Sequence, residues 1–220
     1  MLKILPIVVL VWILLGIVHP LYGAEYELDI TSMPFTGSLP SGVSSITLPI
    51  TAGSTLTGGY YQWQQTTSSG YSFGINADFI DISLNSGIYP KSLTLETYAQ
   101  GTLSGCGFGH NIRIDFFNSS NQIMYNNPSI NATLILPITT NGSWVTNTIN
   151  FETTPAYNQS FNLSTVSPAR IRVRSLAFCN GYGTRTVTAR VRAINLTYDY
   201  EGDGFISPYL PDDEVSMLTD

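Results

Sequence analysis

Charge is scarce in this chain. Asp, Glu, Lys and Arg make up 11% of its 220 residues, where a soluble domain averages about 25%. Nine cations stand against 15 acids, a balance that excludes the basic footprint of a nucleic-acid binder. Two cysteines allow one bridge, so a scaffold held mainly by dense disulfides is excluded as well. With two histidines and no Cys/His ligand spacing, no zinc-type site and no cofactor is expected. Sustained helical periodicity is also missing. What is present is 43% hydrophobic and 12% aromatic residues, too apolar for an acidic disordered chain. A chain of this length buries about 70% of its unfolded surface in one core.

The N-terminus reads as an address. Lys3 supplies a short positive segment, an apolar run extends from Ile4 to Val18, and small Gly23 precedes Ala24. This is the pattern of a secretory signal peptide spanning residues 1–23, cut near Gly23/Ala24. The alternative is an uncleaved anchor, but the run falls short of the ~20 residues needed to span a bilayer. The mature chain is therefore expected to be secreted and free of the membrane. It keeps a single histidine, His110, and a single lysine, Lys91. That lysine confines any intramolecular Lys–Asn bond to one place.

Beyond the leader, short runs of period-two alternation recur between Gly, Pro, Asn and Ser, the signature of an all-β sandwich. Strands are expected near 44–50, 59–66, 78–84, 92–99, 111–117, 120–125, 131–138, 143–150, 170–178 and 184–200. The last changes phase, which a bulge near Ala193 reconciles. Residues 32–42, with Pro34, Gly37, Pro40 and Gly42, read as a linker. The head domain is expected over 43–202, and residues 203–220, with Asp212, Asp213 and Glu214, read as an acidic tail.

Residues 24–31 alternate without error, placing Tyr26, Leu28 and Ile30 on one face and Glu25, Glu27 and Asp29 on the other. Such a strand needs one face buried. Two readings are open: a first strand folding back on its own sheet, or a strand donated to a neighbour by β-augmentation. Arg170, Arg172 and Arg174 share one strand face, as do Arg190 and Arg192. These are candidate acceptor charges for the acidic face of an inserted strand. A solvated strand face and a site for acidic or sulfated glycans are the rival readings.

Cys106 and Cys179 pair most simply as a disulfide in a secreted chain; the rival is a Cys106/His110 nucleophile pair. Six Asn-X-Ser/Thr sequons, at Asn118, Asn131, Asn141, Asn158, Asn162 and Asn195, make N-linked glycans expected partners. Gly70-Tyr-Ser72-Phe-Gly74 matches the nucleophile-elbow pattern, with Asp78, Asp81 and His110 following in triad order. The elbow requires a helix next, and Ile80, Ile82 and Leu84 continue as a strand instead, so no enzyme is expected. Asp199, Glu201, Asp203 and Gly204 imitate half of a calcium loop, but position twelve falls on Leu210. Tyr60, Tyr61 and Trp63 are a candidate sugar platform; core packing is the competing role.

A secretory leader, an alternating terminal strand, a Pro/Gly linker and a sequon-rich β domain together resemble the thread pilins of thermoacidophilic archaea. The resemblance implies an immunoglobulin-like pilin head that lacks one strand and is completed by the N-terminal strand of the next subunit. Carried over, Tyr26, Leu28 and Ile30 are the donor side chains of a head-to-tail homopolymer, a cell-surface filament supporting adhesion. The alternative is a monomeric secreted sandwich that binds glycan through an exposed aromatic face or a calcium turn.

Overall fold

In the computed structural model, residues 24–31, 33–47, 54–125, 132–139, 141–154 and 162–201 are described. The expected leader, the acidic tail and the sequons at Asn131 and Asn158 lie outside the described residues. The described residues form eleven strands. They are β1 (Ala24–Ile30), β2 (Val43–Thr47), β3 (Ser54–Thr57), β4 (Tyr60–Thr67), β5 (Gly74–Leu84) and β6 (Ile88–Gly101). After them come β7 (Gly107–Phe117), β8 (Leu134–Ile138), β9 (Ser143–Asn150), β10 (Arg170–Asn180) and β11 (Arg185–Tyr200). A 3-10 turn, Leu163–Thr165, precedes β10.

Two antiparallel sheets form a β-sandwich. The six-stranded sheet runs β3-β4-β11-β6-β9, with β1 also on β11; the five-stranded sheet runs β2-β5-β10-β7-β8. Alternation decides what lies between them. On β10, Ile171, Val173, Ser175, Ala177 and Cys179 point inward. On β11, Val187, Ala189 and Val191 do so until a register shift between Val191 and Ala193. After it Ile194, Leu196 and Tyr198 face the core. The phase change in the sequence is therefore a true bulge, as expected at Ala193: one extra residue lets both halves of a 16-residue strand bury their apolar side chains.

Some expectations are corrected. Residues 120–125 form no strand. Asn118 closes a turn there, its backbone N–H donating to the Gln122 carbonyl (3.0 Å) and its Oδ1 accepting from the Gln122 N–H (2.9 Å). Only a Phe117–Ile123 bridge remains. The short, polar β3 carries too little apolar alternation to be noticed. It exists because Gly58 and Gly59, with φ of +56° and +86°, make the tight turn that pairs it with β4.

Cys106 and Cys179 are bonded, with Cα atoms 5.3 Å apart. The bridge ties the start of β7 to the end of β10, where Cys179 is fully buried. β1 pairs antiparallel with the second half of its own chain's β11, from Ala24 opposite Tyr200 to Ile30 opposite Ile194. Leu28 and Ile30 are buried, Tyr26 stacks on Tyr198 at 5.8 Å, and Glu25, Glu27 and Asp29 are exposed. Burying each aliphatic side chain contributes about 1.5–3 kcal/mol.

Candidate ligand-binding face

The outward face of the six-stranded sheet gathers most of the half-exposed aromatic and charged side chains of that sheet. Register creates the gathering. Gln62 of β4 lies opposite Arg190 of β11, Arg190 opposite Tyr98 of β6, and Tyr98 opposite Trp144 of β9. Four residues far apart in sequence thus form one row across four strands. Tyr60 reaches in from the β4 end, its ring 5.8 Å from Trp144 in an edge-on contact, while Tyr98 and Trp144 are 5.7 Å apart.

Two arginines are packed into this aromatic group. The Arg190 guanidinium lies 4.5 Å from the Tyr98 ring centre and 5.2 Å from that of Tyr60; Arg192 lies 4.2 Å from that of Trp144. Cation–π contacts of this kind are worth about 0.5–2 kcal/mol each. Polar contacts fix the same side chains. Arg190 Nε donates to Gln62 Oε1 at 2.7 Å, Tyr98 Oη donates to Gln100 Oε1 at 2.6 Å, and Arg192 pairs with Glu96. The hydrogen bond from Arg192 holds the Glu96 carboxyl below the usual carboxylate range.

Beside the aromatic group is a depression of about 100 Å³, lined among others by Asp29, Thr94, Glu96, Thr146 and Asn195. The bulge explains it. At the bulge Arg192 stacks on Trp144, while Ala193, which also lines the depression, has only a methyl group to fill its position. Carboxylates, hydroxyls and an amide therefore surround a hollow flanked by rings. Asn195 Nδ2 donates to Glu27 across the β1–β11 pair.

Sequence reasoning located part of this face. Of the three aromatics expected as a platform, only Tyr60 belongs to it. Trp63 is buried in the core and Tyr61 packs against it, because both alternate to the inner face of β4. Tyr98 and Trp144 were missed. Outward placement of Tyr98 follows from the inward Leu93, Leu95 and Thr97, but its meeting with Trp144 depends on strand pairing that the sequence does not display.

The arginine faces separate. Arg170, Arg172 and Arg174 lie on β10, in the sheet that does not contain β1. There Arg170 and Arg172 pair with Asp81 at 3.1 and 2.6 Å, Arg172 also with Asp78 at 3.2 Å, and Arg174 with Asp115 at 2.7 Å. Burial pushes the Asp115 carboxyl up, and Arg174 opposes the shift. The acids of β1 meet none of these three arginines.

The hydrolase-like constellation is scattered. Ser72 is exposed on the loop before β5, which is a strand, whereas the elbow needs a helix. His110 is buried in the core with Nε2 2.9 Å from Ser175 Oγ, and Asp78 and Asp81 point to the opposite side of that sheet with the arginines. Cys106, as a half-cystine, is no nucleophile. Lys91 Nζ lies 3.0 Å from both Glu152 Oε1 and Asp199 Oδ2. Among the described residues no cluster of three or more metal-ligating side chains occurs.

The described sequons differ in how their amides are used. Asn141 Oδ1 accepts from Gly101 N–H at 3.1 Å, and Asn162 Oδ1 caps the 3-10 turn by accepting from Ser164 N–H at 2.8 Å. Asn118 and Asn195 instead donate through Nδ2, to Gln122 Oε1 and to Glu27.

No family model matches the chain, and no curated protein matches it. Among solved structures it is similar to TmCBM61 in complex with beta-1,4-galactotriose, at 11% identity and TM-score 0.35, over 79% of this chain and 88% of that one. It is also similar to a mutant of CBM29-2, a family 29 carbohydrate-binding module, at 16% identity and TM-score 0.33, over 79% and 86%. A structure of the infectious bursal disease virus Gx strain is similar at 10% identity and TM-score 0.27, over 66% and 37%.

Proposed function

We propose that the chain is a secreted, non-catalytic β-sandwich that holds a glycan on the outward face of its six-stranded sheet. The observation that carries this reading is the adjacency of Tyr60, Tyr98 and Trp144 to a depression rimmed by Asp29, Thr94, Glu96 and Asn195. Sugar rings present apolar C–H faces and a fringe of hydroxyls. Aromatic rings accept the first, and fixed carboxylates, hydroxyls and amides accept the second. The face is pre-formed, since cross-strand pairing and the Arg–aromatic contacts already hold its side chains; little ordering cost remains on binding.

The test is calorimetric titration with oligosaccharides, comparing the wild type with Trp144→Ala. A loss of roughly tenfold or more in affinity, with unchanged thermal unfolding, is expected for removing a central aromatic contact. A variant that binds as the wild type does overturns the reading.

A second reading attaches to β1. Among the described residues this strand pairs with one neighbour, β11, and the Pro/Gly-containing residues 31–42 join it to β2. A strand tied in this way is suited to exchange into the same groove of another copy. Donation that runs one way from copy to copy is heterologous and propagates as an open filament, as the likeness to thread pilins implies. Electron microscopy of the native protein beside a form lacking residues 24–31 tests it. Filaments that vanish on truncation support exchange, and discrete monomers in both samples refute it.

A further inference from the structure

We propose that this face selects anionic glycans, an oxyanion substituent of the sugar seating on Arg190; the proposal rests on the carbohydrate reading above. The reason lies in how the arginines are used. Arg170, Arg172, Arg174 and Arg192 each have a carboxylate partner. Arg185 is buried and donates to backbone carbonyls. Arg190 has no carboxylate partner among the described residues: it gives one hydrogen bond, from Nε to Gln62 Oε1.

That arrangement leaves a particular edge of the guanidinium open. The planar group has a side edge that includes Nε and an end fork of Nη1 and Nη2. Gln62 takes the side edge, and the rings of Tyr98 and Tyr60 pack against the group. Among the described residues the fork has no hydrogen-bond partner, and it matches the two oxygens of a carboxylate or the oxygens of a sulfate ester in a bidentate contact. A stacked guanidinium is weakly hydrated and already oriented, so little is lost in desolvating or ordering it. The chain's overall charge of −6 repels polyanions at long range. Selection therefore comes from this one close contact rather than from a broad basic surface.

A neutral neighbour on each side supports the assignment. Gln62 and Tyr98, directly opposite Arg190 on the two flanking strands, add no negative charge against an incoming anion. Arg192 is different: Glu96 neutralises it, and it serves to hold Trp144. The depression lies past the bulge from Arg190, at Ala193, Ile194 and Asn195, so the proposal requires a glycan chain long enough to run along β11 from the depression to the Arg190 fork.

The experiment uses matched probes. De-esterified oligogalacturonate and its fully methyl-esterified form share a ring and differ in charge; a sulfated oligogalactan and its desulfated form do the same for sulfate. Each is titrated against the wild type, Arg190→Gln and Arg190→Lys. Preference for a charged probe over its neutral match by roughly tenfold or more is expected of a bidentate charge-assisted contact. Which pair shows the preference identifies carboxylate or sulfate. Arg190→Gln should bring the charged and neutral members of a pair to equal affinity, whatever the level of binding that remains, and Arg190→Lys, a point charge without the fork, should retain only part of the preference. Equal binding of charged and neutral probes by the wild type, or a preference that survives Arg190→Gln, overturns this inference and leaves the carbohydrate reading standing. Binding of no probe by the wild type counts against both.

Discussion

His110 Nε2 lies 2.9 Å from Ser175 Oγ inside the sandwich, where β7 pairs with β10. Both side chains are buried, and burial holds the imidazole neutral by depressing its pKa to about 4. In the unfolded chain an imidazole titrates near 6.5. Between those values the unfolded state binds a proton that the folded state refuses, so stability falls as pH drops.

The first prediction follows from that sign. The stabilisation tied to neutral His110 is complete above about pH 6.5, declines through the window down to about 4, and changes no further below it. The decline should amount to about 3 kcal/mol. Urea unfolding at pH 7 and pH 4 measures it, and His110→Gln, which keeps a polar partner for Ser175, should flatten the difference between the two. An unchanged pH dependence in the variant refutes the assignment.

Among the described residues Arg185 is the largest fully buried side chain. Its terminal nitrogens donate to the carbonyls of Gly183 at 2.9 Å, Gly70 at 2.9 Å and Ser69 at 3.2 Å. It thus ties the loop before β5 to the β10–β11 turn, where Tyr71 and Tyr182 stand exposed with rings 5.3 Å apart. Arg185→Met should cost about 1–3 kcal/mol, since it removes charge-assisted hydrogen bonds to several loop carbonyls. Hydrogen exchange should accelerate over residues 69–73 and 181–184 more than in the core strands.

Leu28→Ala in β1 should cost about 2–5 kcal/mol, the range for emptying a buried leucine site. Glu25→Gln, on the exposed side of the same strand, should shift stability by no more than about 0.5 kcal/mol. Denaturant midpoints of the two variants test whether the strand's alternation carries its energy. Equal effects would mean that β1 contributes little to the sheet.

Glycan occupancy should differ among the sequons. Asn141 is exposed in a turn and uses only its Oδ1, leaving Nδ2 available for attachment. Asn195 sits on a strand paired on both sides and donates through Nδ2 to Glu27. Mass spectrometry of peptides from the native protein should find Asn141 modified and Asn195 bare. A modified Asn195 would place a glycan in the depression and contradict its use as a ligand site.

Much of the fold was legible because burial on one face imposes a period of two. The alternation of β1 and β10, the phase change of β11 at Ala193, and the pairing of the only two cysteines could all be read from local order. Tyr61 and Trp63 show the same rule neglected: alternation sends them inward and Tyr60 outward. The turn at 118–122 failed for a different reason. Asn118 hydrogen bonds outcompeted a weak strand propensity there.

The all-β class, the faces of most strands and the bridge follow from side chains a few residues apart or from a count of two cysteines. Which faces meet is set by the packing of the two sheets. That packing sent the two arginine groups to different sheets and matched three of them with Asp78, Asp81 and Asp115. It also brought Tyr60, Tyr98, Trp144 and Arg190 together from four strands. Strand order and register set those meetings, and both are chosen by the packing of the whole core rather than by any local stretch of chain.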